Sequence, residues 1–207
     1  MYKIFFNSRA FIISDNFEEC FSQINGVAAK INTPDEMGEL LTYFETAYQT
    51  HSLWLYAPDT EKAFAWFSAC FSTIEAAGGL VQNKNNDYLL IYRFERWDLP
   101  KGKREKKETP EETALREVEE ECSLSNLNLY SHITDTYHTY RLNNKLCLKK
   151  TYWYKMKYNG TLQPSPQTEE LIEKAVWVSD SHLYEYVIDM YASIKEVFIE
   201  AGIKLIH

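Results

Sequence analysis

The stretch Thr109–Cys122, TPEETALREVEEEC, constrains the fold more tightly than any other part of the chain. Thr109 suits a helix N-cap and Pro110 the first helical position. Glu112 completes a Thr-x-x-Glu capping box, so a helix begins here. Leu115, Val118 and Cys122 then recur at i, i+3, i+7, an apolar face that another layer has to cover. Glu117, Glu120 and Glu121 share a different stripe at i, i+3, i+4. Each like-charge neighbour on an exposed helix costs about 0.2–0.5 kcal/mol, and Arg116 offsets part of that through Glu120, one turn on. The crowding is therefore tolerable on an acidic solvent face, but the residues before the helix suggest another use for it.

Those residues, Lys101-Gly-Lys-Arg-Glu-Lys-Lys107, hold five cations and one acid. Carboxylates around a divalent cation, with lysines beside them, are what a polyphosphate needs. Oxygen-rich carboxylate sites favour hard ions, Mg²⁺ or Mn²⁺. Gly102 lets the backbone approach such a site where a Cβ would obstruct.

Upstream, Tyr2–Phe6 and Ala10–Ser14 read as a strand pair. Asp35–Tyr48 reads as a helix capped by Thr33 with Pro34 in its first turn, Ser52–Tyr56 as a buried strand and Asp59–Ser72 as a second helix. This predicts a small α/β unit, ββαβα, over residues 1–74. From Ala76 the texture changes. Leu80–Gln82 and Tyr88–Arg93 flank a turn at Asn83–Asp87, and a loop runs from Trp97 to Lys107. Leu129–His138, Leu146–Tyr158 and Ala175–Ser179 are strand-like. A final helix, Ser181–Ala201, carries Leu183, Val187, Met190, Ile194 and Val197 on one stripe, with Gly202 as its stop. The expected organisation is an α/β chain of the α+β type, with residues 1–74 as one unit and 75–207 as a second domain.

The formal charge of −8 argues against binding to a nucleic-acid backbone. The four cysteines form no CxxC pair and read as reduced thiols of a cytoplasmic protein. No apolar run approaches the ~20 residues of a membrane span. The run after Met1 is too short for a signal peptide.

Gly102, Glu108 and Arg116-Glu117-Val118-x-Glu120-Glu121 stand at the spacing G-x5-E-x7-R-E-U-x-E-E, with Leu124 at the closing aliphatic position. The pattern resembles the Nudix box. It departs from the box at Ser123, where the family has glycine, which puts the local turn in question more than the chemistry. The likeness covers roughly Ile74 to Ala201 and implies a mixed sheet sandwiched between helices. It also implies divalent-metal-assisted hydrolysis of a nucleoside diphosphate linked to another group. By position, Glu117, Glu120 and Glu121 would ligate Mg²⁺, and Gly102 would offer a carbonyl to a metal. Arg116 and Glu108 would form a supporting ion pair. Two candidates exist for the general base: Glu117, and one of the pair Glu169 and Glu170.

Trp97-Asp-Leu-Pro-Lys-Gly-Lys103 resembles the members that hydrolyse diadenosine polyphosphates, where the residue matching Lys101 contacts phosphate; Lys103 stands beside it. Tyr140 falls where that group carries a tyrosine, which would stack on a base or else pack in a strand. The expected partner is a small nucleoside polyphosphate, with no nucleic acid and no membrane. Alternatives are a non-catalytic nucleotide sensor, or a hydrolase of oxidised nucleoside triphosphates, nucleotide sugars or inositol pyrophosphates. Residues 1–74 lie outside the likeness; pairing into a homodimer, a lid and a second binding site are the roles open to them.

Overall fold

The structure, a computed structural model, describes residues 1–22 and 26–205. They divide into two compact units, one of Met1–Ile74 with Tyr137–Lys149, the other of Glu75–Thr136 with Lys150 onward.

The first unit runs β1 (Tyr2–Phe6), β2 (Arg9–Ser14), α1 (Phe17–Phe21), β3 (Gly26–Lys30), α2 (Pro34–Thr46), β4 (Ser52–Tyr56), α3 (Thr60–Ala69). β1 and β2 form an antiparallel hairpin, turned at Asn7 with φ 56°. β4 lies parallel to both β2 and β3, and Ile4 and Phe5 of β1 pair in parallel with Tyr137 and His138. Ile4, Phe6, Phe11, Ile13, Leu53 and Leu55 bury one sheet face against Met37, Leu41 and Phe44 of α2 and Phe67 of α3. Thr33 caps α2 as expected, its hydroxyl accepting from the Glu36 N–H at 3.3 Å. Arg9 closes the other end, donating to the carbonyls of Phe44 and Ala47 at 2.6 and 3.2 Å. The ββαβα reading lacked α1 and β3. α1 is five residues capped by Asn16. β3, Gly-Val-Ala-Ala-Lys, has little intrinsic strand preference and is extended because it pairs with β4.

The chain continues with β5 (Ser72–Gln82), β6 (Tyr88–Arg93), β7 (Arg96–Asp98), β8 (Lys101–Lys103), α4 (Pro110–Cys122), β9 (Leu127–Leu142), β10 (Lys145–Tyr158), β11 (Lys174–Val178), α5 (Leu183–Val187) and α6 (Ala192–Glu200), which make up the second unit except for the start of β5 and the facing ends of β9 and β10. The strand order in the second unit is β11-β6-β5-β10-β9, with β7 on β6 and β8 on β5. Ala114, Val118 and Cys122 of α4 pack on Val81, Leu89, Ile91 and Met156, one face of this sheet. Leu183, Val187, Ile194, Val197 and Phe198 pack on Leu80, Leu90, Leu99 and Trp153, the other face. The α+β sandwich with a sheet between helices is thus the observed architecture.

Three local expectations are revised. The tip of the β9–β10 hairpin, residues 137–149, clusters with the first unit, although the sequence reading ran it with the second domain. The loop 97–107 contains β7 and β8, too short to leave a periodic signal. The final helix is two helices, broken at 188–191, where no glycine or proline announces a break. Lys195 Nζ takes the freed carbonyl of Ile188 at 3.2 Å, while Met190 and Ile194 stay buried on either side.

Candidate active site

α4 is built as its sequence requires. The Thr109 hydroxyl accepts from the Glu112 N–H at 3.2 Å, and the Glu112 carboxylate accepts from the Thr109 N–H at 2.8 Å. Fully burying a side chain of valine size contributes about 1.5–3 kcal/mol. The apolar face that includes Val118 therefore outweighs several like-charge contacts on the other faces. At the C-terminal end, Ser123 adopts a left-handed conformation, φ 52°, ψ 37°, so serine makes the turn at the position of the glycine in the box. The carbonyls of Glu121 and Cys122 there accept the N–H groups of Gln167 and Ser165 at 3.0 and 2.9 Å.

Arg116 is the hub of the site. Its Nε and Nη2 grip the two Glu108 oxygens at 2.6 and 2.9 Å, and Nη2 also donates to the Lys103 carbonyl at 3.2 Å. Its Nη1 meets Glu117 at 2.8 Å and Glu120 at 2.9 Å. Glu108 accepts further bonds from the Thr113 hydroxyl and the Glu105 N–H. The Arg116 guanidinium, with those bonds, holds its carboxyl down at about 2. The same carboxylates hold Arg116 firmly protonated.

The three stripe glutamates, expected on one anionic face, separate. Glu120 projects into solvent. Glu117 is 8 % exposed, and burial raises its pKa against the pull of Arg116; the charges of Glu120 and Glu170 push the same way. Glu121 is 1 % exposed. One oxygen accepts the Lys101 backbone N–H at 2.8 Å and the other faces Arg93 Nη1 at 3.4 Å; burial lifts its pKa to about 7. The expected third metal ligand is therefore turned inward, where it ties α4 to β8.

Gly102 on β8 faces Glu117 directly. A Cβ built there would lie 1.8 Å from Glu117 Oε2, so the carboxylate fills the space that glycine leaves. Lys103 is exposed, with its carbonyl bound by Arg116. Lys101, expected as a phosphate contact, has its ammonium buried instead, 2.5 Å from Asp98 Oδ2 and 3.5 Å from the Leu99 carbonyl. A buried ammonium needs such a partner, and Asp98 is at hand three residues earlier. Glu169 and Glu170 lie in a short 3₁₀ turn, Thr168–Glu170, and are exposed. Tyr140 belongs to the first unit, half-buried and stacked on His138 with ring centroids 5.6 Å apart.

Arg93 and Asp98 escaped sequence reading because each is a single charge at the end of a short strand, with no spacing that marks it. Only a buried partner, distant in sequence for Arg93, gives either one meaning. Glu75, Arg104 and Tyr152 form a third such group, joined only by tertiary contact: Arg104 pairs with Glu75, which accepts the Tyr152 hydroxyl.

Hard cations take carboxylate oxygens. Among the described residues no group of three or more His, Cys, Asp or Glu converges as a metal site. Glu117 and Glu120, however, aim one oxygen each at a single cationic nitrogen, Arg116 Nη1. That pair fits a divalent ion by donor chemistry, with Arg116 supplying the countercharge in the structure as described; Glu121 does not join it.

The fold and site define an α+β domain that sets paired carboxylates behind a cationic loop. The chain belongs to the Nudix family, hydrolases of pyrophosphate bonds: residues 73–201 match the family profile described as NUDIX domain. Similar solved structures include a C. elegans Ap4A hydrolase in a binary complex, 19 % identical, which covers 62 % of this chain and 95 % of that one with a TM-score of 0.50. A MutT protein from Methanosarcina mazei Go1 is 19 % identical, over 64 % and 94 % of the chains, with a TM-score of 0.50. A NUDIX hydrolase from Nitrosomonas europaea is 17 % identical, over 64 % and 92 %, with a TM-score of 0.50. At these identities the likeness concerns the fold.

Proposed function

We propose that the protein is a Mg²⁺- or Mn²⁺-dependent pyrophosphohydrolase of a nucleoside polyphosphate, with diadenosine polyphosphates the favoured class. The observation that carries this reading is the aim of Glu117 and Glu120 at one cationic point, set in a Nudix domain. These two carboxylates would hold the metal, and Gly102 keeps β8 clear of them. A bound divalent ion supplies neutralisation of phosphoryl charge and a lowered pKa for the attacking water.

The remaining roles fall to side chains. Arg116, clamped by Glu108, steadies Glu117 and Glu120 against each other. Glu121 fixes β8 to α4 from beneath. Glu117, kept partly desolvated, and Glu170, exposed but close enough to act on Glu117 electrostatically, are the two carboxylates that can accept the water's proton. Lys103, exposed and next to Gly102, is the cation offered to substrate phosphate, while Lys101 serves through its backbone. The substrate preference rests on the Trp97–Lys103 stretch, and the fold shared with an Ap4A hydrolase is compatible with it.

Glu120→Gln tests the reading, because the residue is exposed and the change leaves the core untouched. Products are separated after incubation with Mg²⁺ and a panel of diadenosine polyphosphates, nucleoside triphosphates, nucleotide sugars and inositol pyrophosphates. Wild-type turnover of a diadenosine polyphosphate, abolished in the folded variant, is expected. Undiminished turnover in that variant contradicts the assignment of Glu120, and no turnover by wild type on any compound contradicts the hydrolase reading.

A further inference from the structure

Arg104 sits between β8 and α4 among four lysines, and by sequence it is one more cation of the loop. In the structure it is tied at three points. Its backbone N–H donates to the Glu75 carbonyl at 3.0 Å. Its Nε donates to the Glu108 carbonyl at 2.9 Å, and its Nη1 pairs with the Glu75 carboxylate. The other Glu75 oxygen accepts the Tyr152 hydroxyl at 2.8 Å. Lys150 Nζ lies over the Tyr152 ring, 4.2 Å from its centroid, and pairs with Asp135 at 2.7 Å. A polar chain thus runs from β10 through β5 onto the backbone of Glu108, the residue that holds Arg116 by both oxygens.

We propose that Arg104 is a positioning residue for hydrolysis: the Tyr152–Glu75–Arg104 chain fixes the Glu108 backbone, so that Glu108 sets Arg116 against Glu117 and Glu120. The inference rests on the reading of Glu117 and Glu120 as the cation-binding pair.

Stability does not account for this arrangement. Both partners of the Arg104–Glu75 pair are substantially open to water, where an ion pair adds little to folding. Position does account for it. Glu108 is bound to α4 through its side chain, by Arg116 and Thr113, and the loop bonds to itself where the Glu108 N–H donates to the Glu105 carbonyl at 3.1 Å and the Glu105 N–H to the Glu108 carboxylate at 3.2 Å. Those bonds hold the loop to itself and to α4, whereas Arg104 holds it to the sheet. A planar guanidinium reaches the Glu108 carbonyl and the Glu75 carboxylate at once from fixed directions, which a lysine ammonium on a flexible stem does not reproduce. Displacing a reacting group by ~1 Å can cost on the order of 10²-fold in rate.

The experiment uses the full chain with Arg104→Ala, Arg104→Lys, Glu75→Gln and Tyr152→Phe. Three quantities are read: the melting temperature, Mn²⁺ affinity of the nucleotide-free protein by electron paramagnetic resonance, and kcat and KM on the best polyphosphate. For Arg104→Ala we expect kcat down about 10- to 100-fold with KM nearly unchanged, Mn²⁺ bound several-fold more weakly, and little change in melting temperature. Arg104→Lys should not restore either function, and Tyr152→Phe, which leaves both Arg104 contacts in place, should give a smaller loss in the same direction. If Arg104→Ala fails to fold, the isosteric Glu75→Gln carries the same expectation. A folded Arg104→Ala with wild-type Mn²⁺ affinity and kcat overturns the positioning role alone. Wild-type protein that binds no Mn²⁺ overturns the cation-pair reading, and this inference with it.

Discussion

Gly102→Ala is the sharpest probe of the site, because the structure fixes what the added methyl group meets. Its Cβ would lie 1.8 Å from Glu117 Oε2, 2.0 Å from Cδ and 2.4 Å from Oε1, whereas real Cβ contacts essentially never fall below 3.0 Å. Something must retreat by at least about 1.2 Å. β8 is held to β5, with Gly102 opposite Ala77. The Glu117 backbone is inside α4. The carboxylate, the far end of a flexible side chain, is what yields. A shift of that size is large against the 2.8 Å contact with Arg116 Nη1 and moves one of the two oxygens that define the proposed cation site. Misplacement of about 1 Å corresponds to roughly 10²-fold in kcat, or about 2.7 kcal/mol in the barrier. The fold should survive, with a melting temperature within a few degrees of wild type. Steady-state hydrolysis of the best polyphosphate, alongside a thermal melt, is the assay. A folded variant with kcat within twofold of wild type would refute the argument that Glu117 must occupy the space in front of Gly102.

Two further predictions follow from local geometry. Ser123→Gly should stabilise the protein by about 0.5–1 kcal/mol, because a left-handed serine costs about 1–2 kcal/mol while glycine gives back part in unfolded-state entropy. For a chain of this size that is a rise of about 1–4 °C, and a lower melting temperature would contradict it. Glu108, held down at about 2 by Arg116, contributes stability that is fully present above the ordinary carboxylate pKa of about 4.5 and is lost as pH falls through about 2. The melting-temperature gap between wild type and Glu108→Gln should therefore be constant near pH 6, narrow below about 4.5 and close near 2; a gap unchanged down to pH 2 would be inconsistent with the clamp.

What sequence could give differs along the chain for physical reasons. The capping box and the apolar face of α4 are set by short-range spacing, and they appear as read. So does the α2 cap at Thr33. The Glu108–Arg116 pair, which only the family resemblance implied, is formed as well. β3 stayed hidden because its extended state comes from a neighbour 26 residues on, Gly26 opposite Ser52, rather than from its own residues. β7 and β8 stayed hidden because three residues hold no period. The fates of Lys101 and Glu121 were beyond reach for a related reason. Both are charged, and only tertiary burial reveals that one is spent on Asp98 and the other on the Lys101 backbone and Arg93.

Burial and Arg116 together explain how the helix tolerates Glu117, Glu120 and Glu121 so close to one another. Glu121 is relieved by desolvation, which raises its pKa to about 7 and favours the proton, and by a backbone donor. Glu117 and Glu120 are relieved by sharing Arg116, whose remaining donors are taken by Glu108 and the Lys103 carbonyl. A guanidinium fully occupied in this way has no spare donor with which to follow either glutamate if it moves. Any ligand that draws Glu117 and Glu120 together must then compete with Arg116 Nη1 for both. A compact ion of charge two has the advantage in that contest over a single guanidinium nitrogen, because Arg116 carries one charge spread over three nitrogens. On the proposed reading, this contest is what the crowding of Glu117 and Glu120 around Arg116 serves.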